Sequence, residues 1–140
     1  MDLAYLVTPF VAWLCAGSLK FIINTIKSRQ AAFGLIGYGG LPSNHSAIVS
    51  SMAALIALRE GVSHPAFGVA VTLAFIVMLD AHSLRRHIGR QAEIINRLNS
   101  EAAIAAPLRE RIGHSRIEIA AGIVVGIGVA LAVQWVSHHA

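Results

Sequence analysis

GHSRIEIAAGIVVGIGVALAVQWV, residues 113–136, decides the fold class. From Ser115 to about Val136 the stretch is apolar and long enough for a transmembrane helix, which needs about 20 such residues. Gly122, Gly126 and Gly128 offer a small-residue face for close helix packing. At the entrance to the stretch, His114 and Glu118 lie four apart. On a helix that spacing puts imidazole and carboxylate on one face, within hydrogen-bonding reach. A carboxylate-oriented histidine at a membrane surface suits a nucleophile or a proton carrier. A helix-start histidine paired with a structural acid satisfies the same spacing.

The rest of the chain agrees with the membrane reading. Of 140 residues 56% are hydrophobic and 13% charged, and the mean hydropathy is +0.66. A soluble globule of this size carries about 25% charged residues. The expectation is one all-α, polytopic membrane domain over residues 1–140, with about four transmembrane helices and an interfacial amphipathic helix. The first span runs from Leu3 to about Ile26, with Pro9 a candidate kink. Its start carries Asp2 and no basic residue, so it reads as a retained span and not a signal peptide. The second starts near Pro42 or Ser43 and continues to Arg59, short for a full crossing. The third runs from Pro65 to about Leu84, with Asp80 near its end. Between the third and fourth spans, Ile88, Ala92, Ile95, Leu98 and Ala102 recur at helical spacing opposite Arg90, Glu93, Arg97 and Glu101. This is an amphipathic helix ended by Pro107, lying in the membrane interface or serving as a solvated connector. The single cysteine, Cys15, rules out a disulfide framework and a cysteine metal site. The net charge of +4 comes from residues that flank apolar runs, which fits membrane orientation and an anionic ligand and not nucleic acid.

Charge also sets the topology. Seven arginines and three glutamates lie between Arg85 and Arg116, and Lys27 and Arg29 follow the first span. With four spans these loops share one side, and the positive-inside rule makes that side cytoplasmic. The chain is then an integral membrane protein, of the inner or plasma membrane in a bacterium. The loop from Arg59 to Pro65 and both termini face outward. Lys20, Lys27, His45, Arg85, Arg86 and His114 all reach the cytoplasmic face.

Chemistry concentrates at that face. In GGLPSNHSA, from Gly39 to Ala47, Pro42 suits a first helical turn and Ser43, Asn44 or Ser46 can cap it. The amides of a helix N-terminus form a phosphate cradle, and His45 stands where it could give a proton to a leaving oxygen. An ordinary capped helix start fits these residues too. Lys20 sits inside an apolar run and Lys27 lies two turns on along nearly the same face; snorkelling accounts for either. Arg85 and Arg86 read as positive-inside anchors or as part of an anion site, and Asp80 as a phosphate-site residue or the partner of one of these arginines. Two histidines, a carboxylate, a helix start and several cations make up the inventory of phosphoryl transfer through a phosphohistidine. The carboxylate clusters of magnesium sites and the histidine spacings of zinc motifs are absent, so no metal and no other cofactor is expected.

These residues resemble the motifs shared by type 2 phosphatidic acid phosphatases and vanadium-dependent haloperoxidases. Pro42-Ser43-Asn44-His45 is similar to their Pro-Ser-Gly-His. Gly113-His114 through Glu118, followed by Gly122 and Gly126, is similar to the end of their third motif, with Glu for Asp. Lys20-x6-Lys27 is a trace of the first, with Lys for Arg. DAHSLRRHIGRQA, Asp80 to Ala92, together with GGLPSNHSA resembles the small, divergent branch of that superfamily over most of the chain.

The resemblance implies that His114 attacks phosphorus, Glu118 orients it and His45 protonates the leaving alkoxide. It implies that Ser43, with neighbouring backbone groups about Asn44, holds phosphate oxygens, and that Lys20 and Lys27 neutralise charge. Pro107 and Leu108 stand where the third motif has Ser-Arg, so Arg109, Arg111 or the Arg85–Arg86 pair supplies the guanidinium. The expected activity is hydrolysis of a lipid phosphate or diphosphate. Classical members have six spans, so a second subunit could complete the pocket as a homodimer. Two other functions fit the same cationic face: a non-catalytic binder of anionic lipid headgroups, and a transporter subunit in which His45, His114 and Glu118 relay protons.

Overall fold

The computed structural model describes residues 3–28, 40–102, 106–110 and 112–139. Among the described residues five α-helices follow one another: α1 (Ala4–Ser28), α2 (Asn44–Glu60), α3 (Pro65–Leu79), α4 (Arg85–Ala102) and α5 (Arg116–His139). A π-helical turn, Asp80–Leu84, joins α3 to α4 without a break. Among the described residues three helical runs are long and apolar enough to cross a membrane: Ala4–Lys27, Pro65–Asn99 and Arg116–His139. The helix that contains the third span therefore continues without a break into the amphipathic stretch. α3, the π turn and α4 form one continuous helical run, because no residue from Pro65 to Asn99 breaks the backbone ladder.

α2 is the axis of the bundle, packed against α1, α3 and α5. At 17 residues it is about 25 Å long, a little under the ~30 Å hydrocarbon core. It nevertheless runs antiparallel along most of α1. At one end Tyr5 Oη donates to Glu60 Oε1 at 2.6 Å. At the other, Gly17 faces the Asn44 amide, 3.7 Å from where a Cβ would stand. Ser43 caps α2, its Oγ accepting the Ser46 N–H at 3.3 Å. Pro42 accordingly lies just before the helix and not in its first turn.

The packing is inverted relative to a soluble bundle. Large side chains point outward, among them Phe10, Trp13, Leu14 and Ile22 of α1, Leu73, Phe75 and Ile76 of α3, and Val124, Leu131 and Trp135 of α5. Small ones fill the centre: Ala12, Ala16, Ala47, Ala74 and Ala130, with Ser46, Ser50 and Ser51. Helices surrounded by lipid gain no hydrophobic drive from facing each other, so close backbone approach does the work. α5 approaches α2 on Gly122 and Gly126. A Cβ at Gly122 would collide with the Ser43 carbonyl oxygen, and one at Gly126 would stand 2.5 Å from that of Ala47. Gly128 does not belong to this face; it is exposed, with nothing within 4 Å of its Cβ position.

At the end where α1 and α5 respectively begin and finish, Arg59 ties three helices together. Its Nε donates to Gln134 Oε1 at 2.6 Å and its Nη2 to Ser137 Oγ at 2.7 Å, while the guanidinium lies over the Tyr5 ring. The opposite end, where α2 and α5 begin, holds His45, His82 and His114. There α4 carries its apolar side chains Ile88, Ile95 and Leu98 exposed. Asn96 clasps the segment after α4, exchanging hydrogen bonds with Leu108 N at 2.6 Å and Leu108 O at 2.7 Å.

Candidate active site

The α5 start is built by a capping box. Ser115 Oγ accepts the Glu118 N–H at 3.2 Å, and the Glu118 carboxylate accepts the Ser115 N–H at 2.9 Å. The same carboxylate oxygen lies 3.0 Å from His114 Nδ1. His114 and Glu118 thus meet as the sequence expects, but not as two residues on one helical face. His114 precedes the cap, and Glu118 reaches back across the first turn to it. A ring whose Nδ1–H is donated to a carboxylate offers Nε2 as its basic nitrogen.

His114 is buried, 7% exposed, although it stands at a loop. Its backbone is anchored on both sides: its N–H donates to the Ala81 carbonyl at 2.8 Å, and its carbonyl lies 3.1 Å from His82 Nδ1. Gly113 makes this approach feasible. Its φ of +100° is a region that L side chains avoid, and a Cβ there would press on the backbone of Arg86. Burial pushes the His114 imidazole below its ordinary value of 6.5. The charges of Lys20 and Arg85 act in the same direction, and the Glu118 hydrogen bond opposes them. The net effect keeps the ring neutral near pH 7, as a nucleophilic nitrogen requires.

His45, in the first turn of α2, faces this group. The ring centroids of His45 and His114 are 6.0 Å apart and the planes are inclined by 56°. The α2 and α5 starts are stitched directly, since the Ser43 N–H donates to the Glu118 carbonyl at 2.9 Å. His45 Nε2 lies 3.3 Å from Arg85 Nη2, and Arg85 Nε donates to Asp80 Oδ2 at 2.9 Å. A guanidinium can only donate, so this contact makes His45 Nε2 the acceptor and places its ring proton on Nδ1. That Nδ1 is buried with no partner among the described residues, as is Asn44 Oδ1. Lys20, half-buried on α1, lies close enough for its charge to act on Glu118 and on both histidines.

The residues that the sequence singles out therefore divide. His114, Glu118, His45, Lys20, Arg85 and Asp80 come together, with Asn44 beside them. Ser43 is fully buried, its Oγ engaged by Ser46 N and by the Ser46 hydroxyl at 3.1 Å; here it works as the helix cap. Lys27 is exposed in the last turn of α1, about 10 Å along the axis from Lys20. Arg86 is exposed, with its stem against Gly113. Arg111 lies outside the described residues, and Arg109 is exposed. Of the candidate guanidiniums in the described residues, Arg85 is the one in contact with a site histidine. Ser115 and His82 were not among the expected site residues. Ser115-x-x-Glu118 is legible as a capping box, whereas nothing local marks His82 as a partner of a residue 32 positions away. Among the described residues no three His, Cys, Asp or Glu side chains are grouped to hold a metal ion.

A family model described as the Divergent PAP2 family matches residues 1–129. An uncharacterized membrane protein of Bacillus subtilis (strain 168), YuiD, is 32% identical over 147 aligned positions, which cover 93% of each chain. No solved structure matches.

Proposed function

The chain belongs to the divergent PAP2 family of membrane proteins, and on that premise we propose that it is a phosphatase that hydrolyses a lipid phosphate or diphosphate through a phosphohistidine. One observation carries the reading. A buried, carboxylate-held histidine faces a second histidine, with ring centroids 6.0 Å apart, which sets a nucleophile beside a proton donor. Lys20 and Arg85 border that gap, and the N-terminus of α2 turns its positive end toward it.

The chemistry follows from the two rings. His114 Nε2 attacks phosphorus, and the N–P bond forms as the bond from phosphorus to the lipid oxygen breaks. Glu118 stabilises the imidazolium that develops. The leaving alkoxide takes a proton from His45 and departs as the lipid alcohol. A water then attacks the phosphohistidine and gives its proton to His45, and the P–N bond breaks to release inorganic phosphate. Lys20 and Arg85 neutralise charge on the equatorial oxygens throughout. The substrate phosphate is a better acceptor than an imidazole nitrogen, so it competes with His45 Nε2 for the Arg85 guanidinium, and the freed nitrogen takes up a proton from solvent, which it then gives to the leaving oxygen.

A lipid substrate suits the surroundings. The exposed apolar side chains of α1 and α3, Ile22 and Ile26 on one and Leu79 on the other, run to the level of the site, so a tail can stay in the bilayer while the headgroup enters. The excess of arginine and lysine in the neighbouring loops supports a cytoplasmic face for the site.

The purified protein is expected to release phosphate from at least one member of a panel of lipid phosphates and prenyl diphosphates. His114→Ala should lose that turnover while keeping headgroup binding, and orthovanadate should inhibit the parent protein. No release from any member of the panel, with binding that depends on Arg85, would leave a headgroup-binding protein in place of an enzyme.

A further inference from the structure

In an uninterrupted α-helix the Arg85 N–H would donate to the Ala81 carbonyl. In the π turn it donates to Asp80 instead, and the Ala81 carbonyl accepts the N–H of His114. The register shift that looks like a local irregularity therefore has a distant consequence. It turns a backbone acceptor outward to hold the loop before α5. π turns of this kind occur often at functional sites.

Three more contacts leave the same five residues and their neighbour. The His114 carbonyl can only accept, so His82 contributes the proton on its Nδ1 across the 3.1 Å contact. Asp80 holds Arg85 Nε at 2.9 Å, and the other arm of that guanidinium meets His45 Nε2 at 3.3 Å. One turn of helix thus touches the peptide of one histidine and the ring of the other.

We propose that His82 is a positioning residue for the histidine pair: with the Ala81 carbonyl it grips both sides of the His114 peptide, while Asp80 aims Arg85 at His45 from the same turn. This rests on the phosphatase reading above and adds to it the group that keeps the two rings in register. His82 touches neither phosphorus nor the leaving oxygen in this arrangement. Its effect is on where His114 Nε2 stands. A purely structural His82 would instead act as one surface hydrogen bond among many, contributing to stability and not to rate.

The two roles separate in the full-length protein, measured in detergent or in lipid nanodiscs. Misplacing a reacting atom by about 1 Å costs roughly 100-fold in rate, whereas one neutral hydrogen bond adds little to net stability. His82→Ala should therefore lower kcat about 10- to 100-fold on the substrate that the parent protein turns over, with KM changed by less than about twofold. Its thermal unfolding should stay close to that of the parent. His82→Asn, whose amide nitrogen can reach the same carbonyl, should recover most of the lost kcat. Parent-like kcat in His82→Ala, no recovery in His82→Asn, or a loss of kcat that follows a loss of folding overturns the assignment.

Ring 15N resonances give a readout independent of turnover. His82→Ala should shift or broaden those of His114, and His82→Asn should largely preserve them. If the parent protein hydrolyses nothing, the phosphatase reading fails alone, and an unmoved His114 signal in His82→Ala would then sink the positioning role by itself.

Discussion

Glu118 holds two jobs in a single side chain, and the two can be pulled apart. Its carboxylate closes the capping box with Ser115 and also receives His114 Nδ1. Glutamine keeps an acceptor for the Ser115 N–H but removes the charge that steadies an imidazolium. Glu118→Gln is therefore expected to fold like the parent protein and to lose up to roughly 10,000-fold in kcat, the loss seen when a triad-type orienting carboxylate is neutralised. Ser115→Ala should do the reverse, costing about 1 kcal/mol of stability through the lost cap and much less in rate. Thermal unfolding and phosphate release on the same preparations distinguish them. The pH profile adds a signed check. Burial holds His114 below 6.5 and the Glu118 hydrogen bond opposes it, so activity requiring the neutral ring persists below pH 6.5 and falls only as pH drops through the lowered value. Removing the charge of Glu118 should move that acid limb to still lower pH. The pairing itself was legible in the spacing of two residues. Its geometry was not, because i,i+4 describes neighbours inside a helix, and His114 stands before the cap.

At the scale of elements, the site depends on how closely α5 can lie on α2. Gly122 meets the carbonyl of Ser43, the residue whose N–H is bonded to Glu118. The obstacle is backbone, which cannot rotate away as a side chain would. Gly122→Ala should push the two helix starts apart, lowering stability by about 1–3 kcal/mol as overpacking does, and should weaken phosphate release as the Ser43–Glu118 bond stretches. Gly126→Ala should destabilise by a comparable amount, since its Cβ would stand 2.5 Å from the Ala47 carbonyl. Gly128→Ala is the control, expected to be neutral or slightly stabilising because helical alanine is favoured over glycine. Unfolding of the three variants in one detergent ranks them, and a Gly122→Ala protein as stable as Gly128→Ala would contradict the close-packing account. Residue spacing identified the 122/126 pair, four apart on one face, but extended it wrongly to Gly128, which lies outside that face. The π turn was less legible still. DAHSLRR is compatible with a plain helix, and the wider turn goes with a hydrogen bond from His114, far along the chain.

For the whole molecule, the arrangement of ends is the feature with consequences beyond the site. The clasp of Tyr5, Arg59, Glu60, Gln134 and Ser137 closes one end of the bundle, and His45, His82 and His114 with Lys20, Arg85 and Asp80 occupy the other. Most cations flank the histidine end, a distribution that was plain from the sequence because charge asymmetry needs no tertiary contact to be read. Loop charge predicts the orientation across the membrane, and on the proposed phosphatase reading that orientation decides which leaflet supplies the substrate. Cysteine accessibility tests it, since Cys15 is the chain's one native thiol and can be removed as Cys15→Ser. In that background Ser63→Cys reports the loop between α2 and α3, and Ala106→Cys the segment after α4; both positions are exposed. A membrane-impermeant maleimide applied to intact cells should label Ser63→Cys and leave Ala106→Cys unmodified until the membrane is opened. The opposite pattern would turn the protein over and put the histidines on the outer leaflet. Equal labelling of both positions in intact cells would argue for a mixed orientation. On the proposed reading, either unequal pattern assigns the leaflet from which a phosphorylated lipid would reach His114.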